Sequence, residues 1–355
     1  MNNHYGIKVL HLLSSKRFSG AENVVCQIFN MFSEDSDIEM IYVSPSGDIE
    51  NSLNEKGINY YMLKKFNTKE LNLIVDDFKP DIIHAHDVRA TILATTLHKK
   101  VQIISTIHGN DIKMRKLGIK SVLYCIAARN VNHIFWVSKS CYWQFFFRKN
   151  VENKSTILSN VIDRDELLLK VQQDENEYGH DVTFIGRLAY PKDPMRFLSI
   201  MENAIQKKSD LKVAIVGTGN YEDEIRQRII DRKLQNNVYL YGFMENPYKL
   251  LSKSKLLMLT SEWEGMPMVV LEAMALGIPI VSTPTDGVCE VIRNGETGYL
   301  SDKNEKLLEA VLKIVSNDSL LKKMSDKTIY NFFKINNIDC YKKELKNQYS
   351  RGIVV

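Results

Sequence analysis

The chain has 355 residues, 44% hydrophobic and 25% charged, which excludes a disordered or fibrous protein and leaves room for two domains of roughly 160–180 residues. A net charge of +4 is too small to argue nucleic-acid binding, and no stretch reaches the roughly 18–20 apolar residues of a membrane span. Five cysteines (Cys26, Cys125, Cys141, Cys289 and Cys340) form no C-x-x-C pair, and Met1 to Tyr5 begins no secretory leader, so a reduced, cytoplasmic setting is expected.

Short apolar runs alternate with longer amphipathic ones, the pattern of βα units on parallel sheets. In the first half the strands are expected at Ile7–Leu13, Ile38–Val43, Asn59–Leu63, Asp81–Ala85, Gln102–Thr106, His133–Val137 and Ser155–Leu158. In the second they are expected at Asp181–Ile185, Lys212–Val216, Val238–Tyr241, Leu256–Leu259, Pro279–Ser282 and Gly298–Leu300. The polar, acidic segment Asp163–Gly179 reads as the linker, with Gln172–Glu177 its least structured part. The domains are accordingly placed at 1–165 and 166–335, and a closing helix at about 336–355 can pack back on the first.

After the first strand, Ser14–Glu22 forms a loop that closes on Gly20 before a helix. A glycine there lets backbone N–H groups approach a ligand, although a plain tight turn needs one as well. His84, His86 and Asp87 end a later strand, and His108-Gly109 ends the next. His-x-His suggests a metal, but Val88 and Arg89 stand where zinc-hydrolase ligands would continue, so no metal is expected and His108 is read as a polar active-site group. Arg115, Lys116 and Lys120 mingle with apolar residues up to Ala128, and Cys141–Arg148 is strongly aromatic. That stretch is either a basic helix for a membrane surface or lipid-linked acceptor, or an ordinary helix with one apolar face.

Phe184–Lys192 leaves a strand with two cations, Arg187 and Lys192, at the edge where open α/β sheets bind ligands. A guanidinium fork and an ammonium suit a diphosphate. Val216-Gly-Thr-Gly-Asn220 resembles a dinucleotide turn, but Glu222 takes the place of the third glycine, so a nicotinamide or flavin cofactor is not expected. Gly217 still suits a turn that cradles part of a nucleotide.

Ser261–Ser282 carries the most information. Glu264 precedes a helix that Pro267 opens and Gly277 ends, and Glu272 lies in its second turn among apolar residues. The free N–H groups at such a helix start favour a pyrophosphate, and two carboxylates beside it favour a polyol.

Together these pieces resemble the retaining GT-B glycosyltransferases of family 4. The resemblance is carried by Gly186-Arg-Leu…Lys192, the Glu264…Glu272 motif, Glu290, Gly295–Leu300 and Ser159–Asp163. It implies two Rossmann-like domains with parallel sheets facing across a deep cleft, the first on the acceptor side and the second binding a nucleotide-diphosphate sugar. By resemblance, Glu272 would hold the ribose hydroxyls, Arg187 and Lys192 the diphosphate, and Glu264 the transferred sugar. His108 would lie beside the reacting centre, and Gly20 would approach the phosphate from the first domain. Gly217, Gly265, Met266, Pro267 and Met268 complete the expected donor site. No metal or other cofactor is expected.

The resemblance implies a saccharide or lipid-linked acceptor, in bacterial capsule, exopolysaccharide or lipopolysaccharide synthesis, with peripheral contact to the inner face of the cell membrane. Three positions depart from the family: Ser19-Gly20 for a glycine pair, Val161 for a glycine, and Asp286-Gly287 for Gly-Gly. A nucleotide-sugar 2-epimerase and a non-catalytic nucleotide-sugar-binding partner of a synthase are the alternatives on the same fold.

Overall fold

The structure, a computed structural model, describes residues 6–97, 101–109 and 111–351. The chain divides into two compact units. One takes the chain up to Asn160 together with the stretch from Ile338 onward, and the other is Val161–Asn337.

The first unit contains strands β1 (Ile7–Leu12), β2 (Ile38–Pro45), β3 (Tyr60–Leu63), β4 (Ile82–Ala85), β5 (Gln102–Ile107), β6 (His133–Trp136) and β7 (Ser155–Ile157). They form a parallel sheet in the order β3-β2-β1-β4-β5-β6-β7. The second contains β8 (Val182–Ile185), β9 (Val213–Val216), β10 (Val238–Gly242), β11 (Leu256–Leu259), β12 (Ile280–Ser282) and β13 (Gly298–Leu300), in the parallel order β10-β9-β8-β11-β12-β13. The central strands read as near-continuous apolar runs because helices cover both faces of a parallel sheet. Leu256–Leu259 is buried at every position, for example. In each sheet the order reverses once, between β1 and β4 and between β8 and β11. Ligands of open α/β sheets bind beyond the carboxyl ends of the strands at such a reversal.

Two expectations require correction. Asp163–Gly179 is not a linker, because Arg164–Gln173 is a helix of the second unit and the boundary falls between Asn160 and Val161. Asp163 caps this helix by accepting from the N–H groups of Asp165 and Glu166, and Leu167 is its one buried side chain. Pro267 is the N-cap of the motif helix, which runs Met268–Ala275, and not its first helical residue. Gly277 ends that helix with φ at 73°, the left-handed conformation that favours glycine.

The helix Ile338–Ser350 belongs to the first unit. Lys342 and Lys346 pair with Asp35, and the Tyr349 hydroxyl lies 2.8 Å from His84 Nδ1. Of the closing helix expected at about 336–355, residues 352–355 lie outside the described residues, as do Met1 to Tyr5 at the other end.

Candidate active site

In the second unit the loops that leave β8 and β11 meet at the sheet reversal. The Glu262 N–H donates to the Pro191 carbonyl at 2.9 Å, and the Thr260 hydroxyl donates to the Asp193 carbonyl at 2.8 Å. These bonds bring Lys192 onto Glu264 as an ion pair, and the Ser261 hydroxyl donates to the same carboxylate oxygen at 2.6 Å. Glu264 is buried, so its charge is held by one ammonium and one hydroxyl instead of water. Arg187 is exposed, and its guanidinium has no carboxylate partner among the described residues. Lys192 is thus committed to Glu264, and Arg187 is the cation left facing outward.

The loop after β9 lies against the same place. The Leu188 N–H donates to the Thr218 carbonyl, and a Cβ on Gly217 would sit 2.0 Å from the Gly186 carbonyl oxygen. With φ at 132° as well, that position admits only glycine. Gly265 and Met266 precede the buried helix Met268–Ala275, whose N-terminal N–H groups no side chain caps. A Cβ on Gly287, in the helix Asp286–Val291, would meet the Gly265 carbonyl oxygen at 1.5 Å.

Glu272 is buried on the motif helix and accepts a 3.2 Å bond from the Tyr248 hydroxyl. Burial pushes its carboxyl up to about 7, while Tyr248 and the nearby Lys170 ammonium pull it down. Near neutrality it is half-ionised and ready to accept from a polyol.

In the first unit the reversal between β1 and β4 is tied by Asp87, which accepts from the Ser14 and Ala90 N–H groups at 2.8 Å each. The parallel register places His11 opposite His84. His11 Nδ1 lies 2.9 Å from His86 Nε2, and His86 Nδ1 lies 3.1 Å from His108 Nε2, so the three imidazoles form one chain. His84 stands beside it, with Tyr349 on Nδ1 and Thr106 on Nε2. Burial lowers His11 to about 3 and His108 to about 4, so both are neutral. His11, His84 and His86 are close enough to suggest a metal, but both nitrogens of His84 already hold hydroxyl partners and, among the described residues, no carboxylate accompanies the three. Gly20 opens the helix Gly20–Met31, and two residues later Glu22 is buried beside Ser19, its carboxyl raised chiefly by desolvation.

Arg187, Lys192, Gly217, Gly265, Met266, Pro267, Met268, Glu264 and Glu272 therefore all lie in the second unit, while Gly20 and His108 lie in the first. Sequence reading named His86 and Ser261 only as parts of a His-x-His pattern and of the motif, and it did not foresee four hydrogen-bonding roles. Ser261 and Tyr248 carry the hydrogen bonds to the two glutamates, and His11 and His86 carry the chain to His108. The available signals were a polar residue inside an apolar strand, His11, and the His-x-His pattern that contains His86.

A model of "Glycosyltransferase Family 4" matches residues 18–166, and one of "Glycosyl transferases group 1" matches residues 165–330. The chain is 22% identical to the UDP-Gal:alpha-D-GlcNAc-diphosphoundecaprenol alpha-1,3-galactosyltransferase of Escherichia coli, over 91% of each chain. It is 24% identical to the poly(glycerol-phosphate) alpha-glucosyltransferase of Bacillus subtilis, over 91% of this chain but 48% of that longer protein. Among solved structures, Anabaena Alr3699/HepE in complex with UDP-glucose superposes with a TM-score of 0.84 at 16% identity, covering 97% of this chain and 100% of that one.

Proposed function

The chain belongs to the group 1 glycosyl transferases of the GT-B fold, and on that premise we propose that it is a retaining transferase that moves a sugar from a nucleoside-diphosphate sugar to a saccharide or lipid-linked acceptor. The observation that carries the reading is the Lys192–Glu264 pair at the sheet reversal, with Glu272 on the helix that follows. In this reading the anomeric C–O bond breaks, the diphosphate leaves with the electron pair, and an acceptor hydroxyl oxygen takes its place. Arg187 and the uncapped N–H groups of the motif helix offset the diphosphate charge as it develops. Glu272 accepts from the ribose hydroxyls and Glu264 orients the transferred sugar, while the Gly20 backbone and His108 offer hydrogen bonds to substrate oxygens. No metal takes part. The α-linkages in the relatives' names support retention.

The acceptor side of the reading includes contact with an anionic bilayer. On the helix Ile119–Ala127 the buried residues are Ser121, Tyr124 and Ala127, whereas Ile119 is 81% exposed and Leu117 just before it 66%. Lys113, Arg115, Lys116 and Lys120 lie beside them in sequence, Lys120 paired with Asp111, a composition that suits the headgroup region of an acidic membrane. Among the described residues no helix is long and apolar enough to cross a membrane.

The test is incubation with a panel of uridine- and guanosine-linked sugars, with and without lipid-linked acceptors. Donor hydrolysis and transfer with retained configuration support the proposal. Epimer formation, or binding without turnover, sinks it.

A further inference from the structure

The imidazole chain has two possible proton orders, and they differ in where they strand a donor. In one order, His11 Nδ1–H donates to His86, and His86 Nδ1–H donates to His108. This leaves His108 with a free Nδ1–H and His11 with a bare Nε2 lone pair. In the other order every bond reverses, and the stranded N–H is His11 Nε2–H in the sheet core. His11 has no accessible surface, and its nearest ring beyond the histidines, Phe29, lies 5.3 Å away between centroids. An aromatic ring is a poor replacement for an oxygen acceptor. A permanently orphaned buried N–H is rarer and costlier than an under-used acceptor. Both stranded nitrogens, His11 Nε2 and His108 Nδ1, are buried without a partner among the described residues, but His11 lies in the sheet core whereas His108 as a residue is half-buried just past the end of β5, so the His108 end is the one nearer to a ligand oxygen.

We propose that His11 and His86 are positioning residues that lock His108 as a neutral imidazole protonated on Nδ1, so that His108 serves as a hydrogen-bond donor and not as a base. The proposal rests on the reading of His108 as a member of the active site. Electrostatics agree with it. Desolvation holds all three rings below the usual histidine range, and at His86 the charged forms of His84, His11 and His108 would also repel a further proton. Tyr349, Thr106 and, farther off, His133 are the other polar groups at His84, and among the described residues no carboxylate bears on the three chain members. An aspartate behind the chain would favour an imidazolium, and none is present among the described residues.

The test is side-chain ¹⁵N spectroscopy of the full chain labelled at histidine, between pH 8 and 5.5. Protons on Nδ1 of His11, His86 and His108, unchanged across that range, support the lock. An Nε2 proton on His108, or its titration within the range, overturns it. Because this reading needs no turnover, it stands or falls separately from the choice of donor or acceptor. Two variants extend the test: His11→Asn can donate from nearly the position of Nδ1, and His11→Leu cannot. In the folded variants, Leu should mix the tautomers of His86 and His108 and lower kcat about tenfold with little change in KM, the worth of one lost hydrogen bond. Asn should restore the tautomers and most of kcat. Equal behaviour of the two variants in both readouts overturns the proposal.

Discussion

The Cα of Gly287 faces the carbonyl oxygen of Gly265 so closely that a methyl group there would sit 1.5 Å from that oxygen. The short helix from Asp286 thereby fixes the loop that leads into the motif helix. Of Asp286-Gly287, which stands where the family has Gly-Gly, the second residue keeps the glycine that the geometry requires. Asp286 is the first residue of that helix, where an acidic side chain complements the dipole.

Gly287→Ala should therefore displace Gly265 and Met266, weaken donor binding more than tenfold, and destabilise the protein by about 1–3 kcal/mol through overpacking. Calorimetric titration with a nucleoside diphosphate, alongside urea unfolding, measures both. Unchanged affinity would show that the loop position does not matter to the donor.

Lys192→Met should leave Glu264 buried with Ser261 as its remaining hydrogen-bond partner among the described residues and destabilise the fold by about 3 kcal/mol. Adding Glu264→Gln should recover most of that stability, because the stranded charge is gone, without recovering turnover. The double-variant cycle is read by denaturation midpoints and initial rates. A double variant no more stable than Lys192→Met would mean that the pair does not hold the charge of Glu264.

Glu272 makes stability depend on pH in a defined direction. Its carboxyl titrates near 4.5 when unfolded and near 7 when folded, so below 4.5 both states hold the proton and burial carries no charge penalty. As pH rises from 4.5 to 7 the unfolded chain releases the proton first, and stability falls by about 3 kcal/mol in total. Glu272→Gln should be the more stable protein at pH 8, with the gap closing toward pH 4, while binding nucleotide sugar more weakly. A gap that widens toward acid would mean the carboxylate is already ionised and paired.

Arg187 is exposed, so Arg187→Ala should leave the thermal midpoint within about 1 °C, since surface substitutions change stability little. Loss of one charge-assisted contact should weaken nucleoside-diphosphate binding about tenfold or more. Normal turnover in this variant would remove Arg187 from the diphosphate site.

The strands were legible because a parallel sheet buried on both faces leaves uninterrupted apolar runs, and Gly277 because a helix end in the left-handed conformation calls for glycine. The helix Arg164–Gln173 was not legible, since with one buried side chain it has almost no apolar stripe and reads as solvated chain. The site divides along the same line. Glu264 and Glu272 share one short motif and could be seen together. Lys192 and Glu264 are 72 residues apart, and His11 and His86 are 75 apart, so each pair meets only once the parallel strands and the loops that leave them are in place.

The helix Ile338–Ser350 completes the first unit although it emerges last. A chain growing from its N-terminus can assemble the sheet β1–β7 early, but His84 must wait for Tyr349, and Asp35 for its two lysines, until some 180 residues of the second unit have been made. The second unit is continuous in sequence and has no such delay. The first unit to be synthesised is thus the last to close. During that interval its half-finished face is exposed to chaperones and proteases, and truncation at the C-terminus would injure the domain that begins at the N-terminus.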